Sequence, residues 1–331
     1  MSTPLDADPI LVEVLRGDLV ETVHRGRLAI TAPDGSTIVA LGDVDAPMYP
    51  RSSVKPLQAI AMLESGLDTT GSDLAMAAAS HHGESFHLEA VRSILAGAGL
   101  GVDDLQNTPD LPLADAARAA WLRDGHDAAS LTQNCSGKHA SMLRTCVRAG
   151  WPIETYLDPE HPLQRHIRET IAARCGGADH VTVDGCGAPL FAVPLAGLSR
   201  AFGAIAAATE GPARRIADAY RAHPEYPSGT GTAEEALHRA VPGLICKGGA
   251  EGCLAIGLAD GTGIAIKSDD GSHRGQVAVA LEVLVALGVA TRAELAGVPN
   301  DQVLGHGRPV GEVRANRAVL DPALAPVTAS R

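Results

Sequence analysis

Hydrophobic and polar positions alternate with a period of two at both ends of the chain and recur at helical spacing between them. Residues 10–43, "ILVEVLRGDLVETVHRGRLAITAPDGSTIVALGD", hold short Val/Ile/Leu runs broken by "RGD", "RGR" and "PDG", which predicts a meander of hairpins. After "YPRSS" the pattern changes. Lys55-Pro56-Leu57 opens a helix, with proline in its first turn and Leu57, Ile60 and Ala61 on the apolar side. Further helices are expected around 73–79, 86–97, 114–123, 137–148, 163–174, 190–206, 211–222 and 232–240. Strand character returns in "CLAIGLADGTGIAIKSDDG", two apolar runs around an Asp-Gly turn. "HRGQVAVALEVLVALGV" then reads as a largely buried helix, and "VGEVRA" as a β-like piece.

Hairpins at both ends with helices between predict an α+β fold. One mainly antiparallel sheet is built from both chain ends and covered by helices, with an inserted helical lobe. The expected organisation is a single catalytic unit over 1–331, with roughly 1–55 and 243–331 forming a sheet lobe and 56–242 a mainly helical lobe. No repeat, low-complexity tract or linker interrupts it.

Composition narrows the function. A formal charge of −12 argues against nucleic acid or an anionic membrane surface as the main partner. No apolar run reaches membrane-spanning length, and "MSTPLDADPI" lacks the basic start and apolar centre of a signal peptide, so a cytoplasmic protein with reduced thiols is expected. Of 27 Lys plus Arg, only four are lysines: Lys55, Lys138, Lys247 and Lys267. Arginine does not give up its proton in a protein, whereas a desolvated lysine can. Each surviving lysine is therefore a candidate for a position where arginine fails.

Local contexts sharpen that candidacy. Ser52-Ser53-Val54-Lys55 contains a Ser-x-x-Lys at a helix start, where residues three apart share a face. A neutral lysine there can take the serine proton, and the helix N-terminus favours the resulting negative charge. The structural alternative is a serine that caps the helix beside a solvated lysine. "AAASHHGES" gathers Ser80, His81, His82 and Glu84, fit for proton transfer or simply for a polar helix end. In "QNCSGKHAS" the glycine frame of a phosphate loop is missing. Cys135 and Lys138 stand three apart at another helix start, and Cys186 lies in the glycine-rich "VTVDGCGAP". Two thiolates plus a nitrogen suit zinc; His139 is the more ordinary nitrogen ligand, Lys138 the alternative, and Asp184 a group that orients a ligand from behind. "CKGGAEGC" allows close backbone approach to a small ligand, and Lys267 ends a strand where its amine can enter a cleft or meet solvent.

Taken in order, the blocks "VEVLRGDLVETVHRGRLAI", "YPRSSVKPLQA", "SHHGE", "NCSGKHASML", "DGCGAP" and "KGGAEG" closely resemble the class 3 L-asparaginases, the L-asparaginase II family, over nearly the whole chain. The resemblance implies an amidohydrolase that turns L-asparagine and water into L-aspartate and ammonia. It also implies a fold similar to serine β-lactamases and penicillin-binding proteins, usually as a homodimer, with zinc as cofactor. It places the family's two Ser-Lys pairs on Ser52 with Lys55 and Ser80 with Lys267, and its zinc ligands on Cys135, Lys138 and Cys186, favouring lysine over His139. The β-lactamase tripeptides "SDN" and "KTG" are absent, which speaks against β-lactam turnover.

On this reading Arg51 holds the substrate carboxylate and Asn134 its ammonium side, with His139 and Gly249 completing the pocket. The rivals are another serine acyl hydrolase (a glutaminase, esterase or β-lactam enzyme) and a zinc-dependent amino-acid sensor without turnover.

Overall fold

The computed structural model describes residues 8–328. It is α+β and divides into two compact units. Among the described residues the sheet unit takes 8–53, 193–207 and 236–328; the helical unit takes 54–192 and 208–235. No described helix is long and apolar enough to cross a membrane.

In the sheet unit eight strands form one antiparallel sheet drawn from both chain ends. Its order is Gln302–Gly305, Arg308–Ala315, Ile10–Arg16, Leu19–Thr31, Gly263–Ser268, Cys253–Gly257 and Ile245–Gly249, with Thr37–Leu41 also pairing on Leu19–Thr31. The 13-residue strand Leu19–Thr31 joins the two halves: residues up to Arg25 pair with Ile10–Arg16, and those from Gly26 onward pair with Gly263–Ser268.

Strand alternation sets what one face of this sheet carries. Gly263 and Gly257 are register partners at one end, and a Cβ on either would meet the carbonyl oxygens of Ser199 or Phe202 at 1.9 and 2.1 Å. Helix Leu195–Ala206 rests directly on these two glycines. Two residues along, the same face carries Ala265 and Ala255; two further, Lys267 and Cys253. The face thus passes from a helix contact to chemistry within one strand length.

The helical unit is built around Lys55–Glu64, whose residues from Lys55 to Leu63 are all buried. Helices Gly71–Ala77, Ser85–Ala96, Asp115–Arg123, Ser136–Ala149, Pro162–Cys175 and Gly211–Ala222 accompany it, together with the short hairpin Val181–Val183 and Pro189–Phe191. The helix expected over 190–206 is shorter than its apolar pattern suggested. Leu190 and Phe191 are in strand, Val193–Pro194 pairs with Pro47–Met48, and the helix starts only at Leu195, after Pro194. A C-terminal helix, Arg317–Thr328, forms with Pro322 and Pro326 inside it.

Candidate active site

The sheet unit places Lys267 by register. Arg27, Lys267, Cys253 and Gly249 are successive partners across four strands, so their side-chain positions line one row on one face. Gly249 is the rung where the chain at Ser52 comes down. A Cβ there would lie 2.3 Å from the Pro50 carbonyl oxygen, 2.8 Å from the Ser53 nitrogen and 3.1 Å from the Ser52 nitrogen. Only glycine admits that approach. Its expected pocket role is accompanied by this steric one, which "KGGAEG" hinted at through its glycines.

The turn resting on Gly249 is a 3-10 helix, Arg51–Val54. Ser53 is consumed by structure: its hydroxyl donates to the Pro50 carbonyl at 2.6 Å and lies 3.2 Å from Cys253 Sγ. Ser52 is half-buried beside it. Arg51 has φ 51° and pairs at 3.7 Å with Glu251, itself at φ 59°. Two non-glycine residues in the left-handed region cost stability, and such strain concentrates at functional sites. Lys267 is half-buried, its amine donates to the Ser268 carbonyl, and burial holds its pKa below the ordinary lysine value against the attraction of Cys253, Asp269 and Glu251.

The helical unit assembles its polar groups at helix starts. Lys55, 1% exposed, opens Lys55–Glu64. Its amine donates to the Ala79 carbonyl at 2.5 Å and the Ser80 hydroxyl at 3.0 Å, and lies 3.1 Å from Cys135 Sγ. Lys55, Ser80 and Cys135 therefore meet, although 80 residues separate the first from the last. The serine's loop is pinned on both sides: Ser80 N–H donates to the Pro227 carbonyl and His81 N–H to the Asn134 carbonyl.

The two histidines of "SHHGE" divide the labour. Gly83 N–H donates to His81 Nδ1 at 3.1 Å, so the proton sits on Nε2, which donates to Ser136 Oγ at 2.7 Å; that hydroxyl in turn donates to the Leu131 carbonyl. Burial above all, then the proximity of other protonatable groups, holds His81 well below the ordinary histidine value. It is a strut that ties the Ser80 segment to the helix carrying Cys135, rather than a proton carrier. His82 abuts Gly229.

Cys135 caps Ser136–Ala149, with its N–H on Gln133 Oε1 at 2.9 Å and its thiol 3.1 Å from Asn134 Oδ1. Lys138, one turn on, lies 3.2 Å from Cys186 Sγ. Cys186 is delivered by the turn Asp184–Ala188, where Gly187 adopts φ 91°. The sulfur–sulfur hydrogen bond pushes Cys135 up to about 12 and Cys186 down to about 4, so one thiol proton serves the pair and Cys186 carries the charge. Burial works against the Lys138 ammonium, but the charges of Cys186, Cys135 and Asp184 outweigh it and hold the proton on.

This donor set fits zinc, with a condition. Two sulfurs and one nitrogen converge, and 3.2 Å between nitrogen and sulfur is close to the roughly 3.5 Å edge of a tetrahedral zinc site. The condition is that Lys138 must first lose the proton its thiolate neighbours favour. Among the described residues no group of three His, Cys, Asp or Glu is placed to hold a metal, so any site here depends on the lysine. The nitrogen hydrogen-bonded to a sulfur is that of Lys138; the His139 ring is buried, with its Nδ1 2.8 Å from the Tyr156 hydroxyl. Burial, then the Lys138 charge, keeps it neutral.

Sequence reasoning missed Gln133, whose carbonyl oxygen fixes the Cys135 cap, and Tyr156, which orients His139. No local motif announces either. Cys253 is buried and touches Ser53.

With this geometry in hand, the chain can be set beside known proteins. The family model for L-asparaginase II matches residues 12–315, and the chain belongs to that family. None of the curated proteins compared with it matches. Among solved structures, Mglu in its native form is similar at 16% identity, covering 88% of this chain and 68% of that one, with a TM-score of 0.40. A putative beta-lactamase from Bacteroides dorei DSM 17855 shares 14% identity over 73% of this chain and 84% of its own, TM-score 0.40. A beta-lactamase from Mycobacterium bovis shares 14% over 80% and 95%, TM-score 0.36. At TM-scores below 0.5, none of the three bears on the site.

Proposed function

We propose that the protein hydrolyses L-asparagine to L-aspartate and ammonia. Membership of the L-asparaginase II family supports amide hydrolysis as the reaction class. The observation that carries the reading further is Lys55, an amine held out of water against the Ser80 hydroxyl and Cys135. A lysine so placed can exchange protons with a hydroxyl as a solvated arginine cannot.

A side-chain amide is a poor electrophile with a poor leaving group, so it needs an activated nucleophile, an oxyanion site and a proton donor. Ser52 Oγ attacks the amide carbon while Lys55 accepts the hydroxyl proton. Their position three residues apart, where the 3-10 turn runs into the helix, supports this pairing. The carbonyl electron pair moves onto oxygen, which the Ser52 N–H receives. Collapse of the adduct expels the nitrogen, protonated by the second pair, Ser80 and Lys267, and leaves an aspartyl ester on Ser52. Water deprotonated by that second pair hydrolyses the ester and restores the serine. Arg51 binds the substrate carboxylate and Asn134 its ammonium side.

Zinc held by Cys135, Lys138 and Cys186, with Asp184 behind, would supply a fixed positive charge that organises the substrate end of the site. Chelation then raises KM before it lowers kcat; a large kcat loss at unchanged KM contradicts that role. The working form in this reading is a cytoplasmic homodimer.

The test is ammonia release from L-asparagine and L-glutamine, beside ester and β-lactam hydrolysis, by wild type and Ser52→Ala. Asparagine is expected as the preferred substrate, with Ser52→Ala slower by about a thousandfold or more. Turnover of glutamine, ester or β-lactam instead favours a different acyl hydrolase. Asparagine binding without turnover, unaltered in Ser52→Ala, identifies a sensor.

A further inference from the structure

The hairpin that brings Gly249 against the Ser52 turn carries a charge that the mechanism above does not use. Gly249 and Cys253 are register partners, so Ala250, Glu251 and Gly252 form the connection between their strands. Glu251 and Gly252 both lie in the left-handed region, at φ 59° and 65°. Glycine takes that conformation freely, whereas a residue with a β-carbon is strained in it. Glu251 holds its place against its own backbone, and Arg51, at φ 51°, does the same.

These two strained positions bring opposite charges together. Arg51 Nη1 and Glu251 Oε1 are 3.7 Å apart, too far for a hydrogen bond. The other carboxylate oxygen, Oε2, fills the space beside Gly271, where a β-carbon would come within 2.5 Å of it. Gly271, at φ 76°, thus leaves open the seat in which the carboxylate rests. The pair meets water: the Arg51 side chain is 25% exposed and that of Glu251 65%. A long ion pair with so exposed a partner contributes little to stability, less than two left-handed residues cost. Stability therefore does not account for the arrangement, and strain of this kind points to function.

We propose that the Arg51 guanidinium is a carboxylate subsite which the chain's own Glu251 occupies until a ligand carboxylate displaces it. The inference rests on Arg51 as the carboxylate-binding residue of the reading above, and it assigns Glu251 a role that reading lacks. A guanidinium binds a carboxylate best through two short parallel hydrogen bonds. At 3.7 Å Glu251 makes neither of them. A free amino acid can present its α-carboxylate for both, so it wins the exchange, and the Glu251 side chain turns into solvent. Glu251 is then an internal competitor that raises the substrate concentration the protein needs. A ligand whose carboxyl group is a neutral amide offers no anion to exchange and leaves the pair closed.

The test compares wild type, Glu251→Gln, Arg51→Met and the double variant, with L-asparagine and L-asparaginamide as ligands. Glu251→Gln keeps the side chain's size and removes its charge. It is expected to lower KM for L-asparagine by about two- to fivefold, the range an exposed ion pair is worth. L-Asparaginamide, which lacks the α-carboxylate, is expected to gain less. In the Arg51→Met background the Glu251 substitution is expected to change nothing, because the competitor acts only through the guanidinium. An unmoved KM overturns the proposal, as does an equal fall for L-asparaginamide or in the Arg51→Met background. If Arg51→Met does not fold, L-asparaginamide alone serves as the control. Calorimetry with L-aspartate reads the same exchange without turnover, so a wild type that releases no ammonia refutes the reaction and leaves the subsite to be judged separately. Tighter L-aspartate binding in Glu251→Gln then supports the subsite; equal affinity, or no binding to either protein, overturns it.

Discussion

In the sheet unit Lys267 is one rung of a row that strand register lays out: Arg27, Lys267, Cys253, Gly249. In the helical unit Lys55 stands at a helix start and is gripped from three sides, by Ala79, Ser80 and Cys135. The first arrangement balances charge against charge and leaves its lysine half-buried. The second removes its lysine from water and surrounds it with neutral partners, among them imidazoles that burial keeps uncharged. Register tolerates a charged row because the strands fix spacing. A helix-start cluster needs its loops tied down.

The difference has consequences that acid exposes first. Burial lowers His87 to about 4 in the fold, whereas an unfolded histidine titrates near 6.5. Its contribution is therefore complete above the unfolded value and lost as pH falls through the window from 6.5 to 4, a change of about 3 kcal/mol. Asp269 works the other way: raised to about 6 by burial, its contribution is present below 3.8 and lost as pH rises through 6. Urea unfolding between pH 4 and 7 is expected to show stability falling with acid in wild type and a flatter profile in His87→Gln. An unchanged slope in the variant breaks the contrast between the units.

A smaller effect is expected where the sheet unit receives the Ser52 turn. Gly249→Ala puts a methyl against backbone atoms that no rotamer change can clear. The expected cost is about 2 kcal/mol of stability, and about a hundredfold in turnover from displacement of Ser52. Wild-type activity and melting temperature in this variant would show that the close approach places nothing.

How much of this was legible follows from the same contrast. Helix starts announce themselves locally, and Lys55, Cys135 and Lys138 were singled out from three-residue spacings beside them. The scarcity of lysine was informative: Lys55, Lys138 and Lys247 are each 1% exposed and Lys267 is half-buried, while arginine carries the surface charge. Lys247 is a buried strand residue whose amine donates to the Gly248 carbonyl at 3.0 Å. Register is not local. Nothing in "HRGRLAI" or "IAIKSDD" says that Arg27 faces Lys267, because a pairing over 240 residues depends on which strands become neighbours. The division near residue 193 was invisible for a similar reason. The apolar run through 190–206 carries both strand and helix, and Pro194 marks the change only once the strand has found its partner. The sulfur pair was within reach as residues, but not the hydrogen bond that leaves the negative charge on Cys186.

The central claim is that two lysines, one from each kind of environment, move the protons of amide hydrolysis. Steady-state ammonia release from L-asparagine by wild type, Lys55→Met and Lys267→Met tests it directly, since methionine keeps the length of the side chain and removes the amine. Both variants are expected to fold and to lose turnover by about a hundredfold to ten-thousandfold. Undiminished turnover in either one would contradict the account.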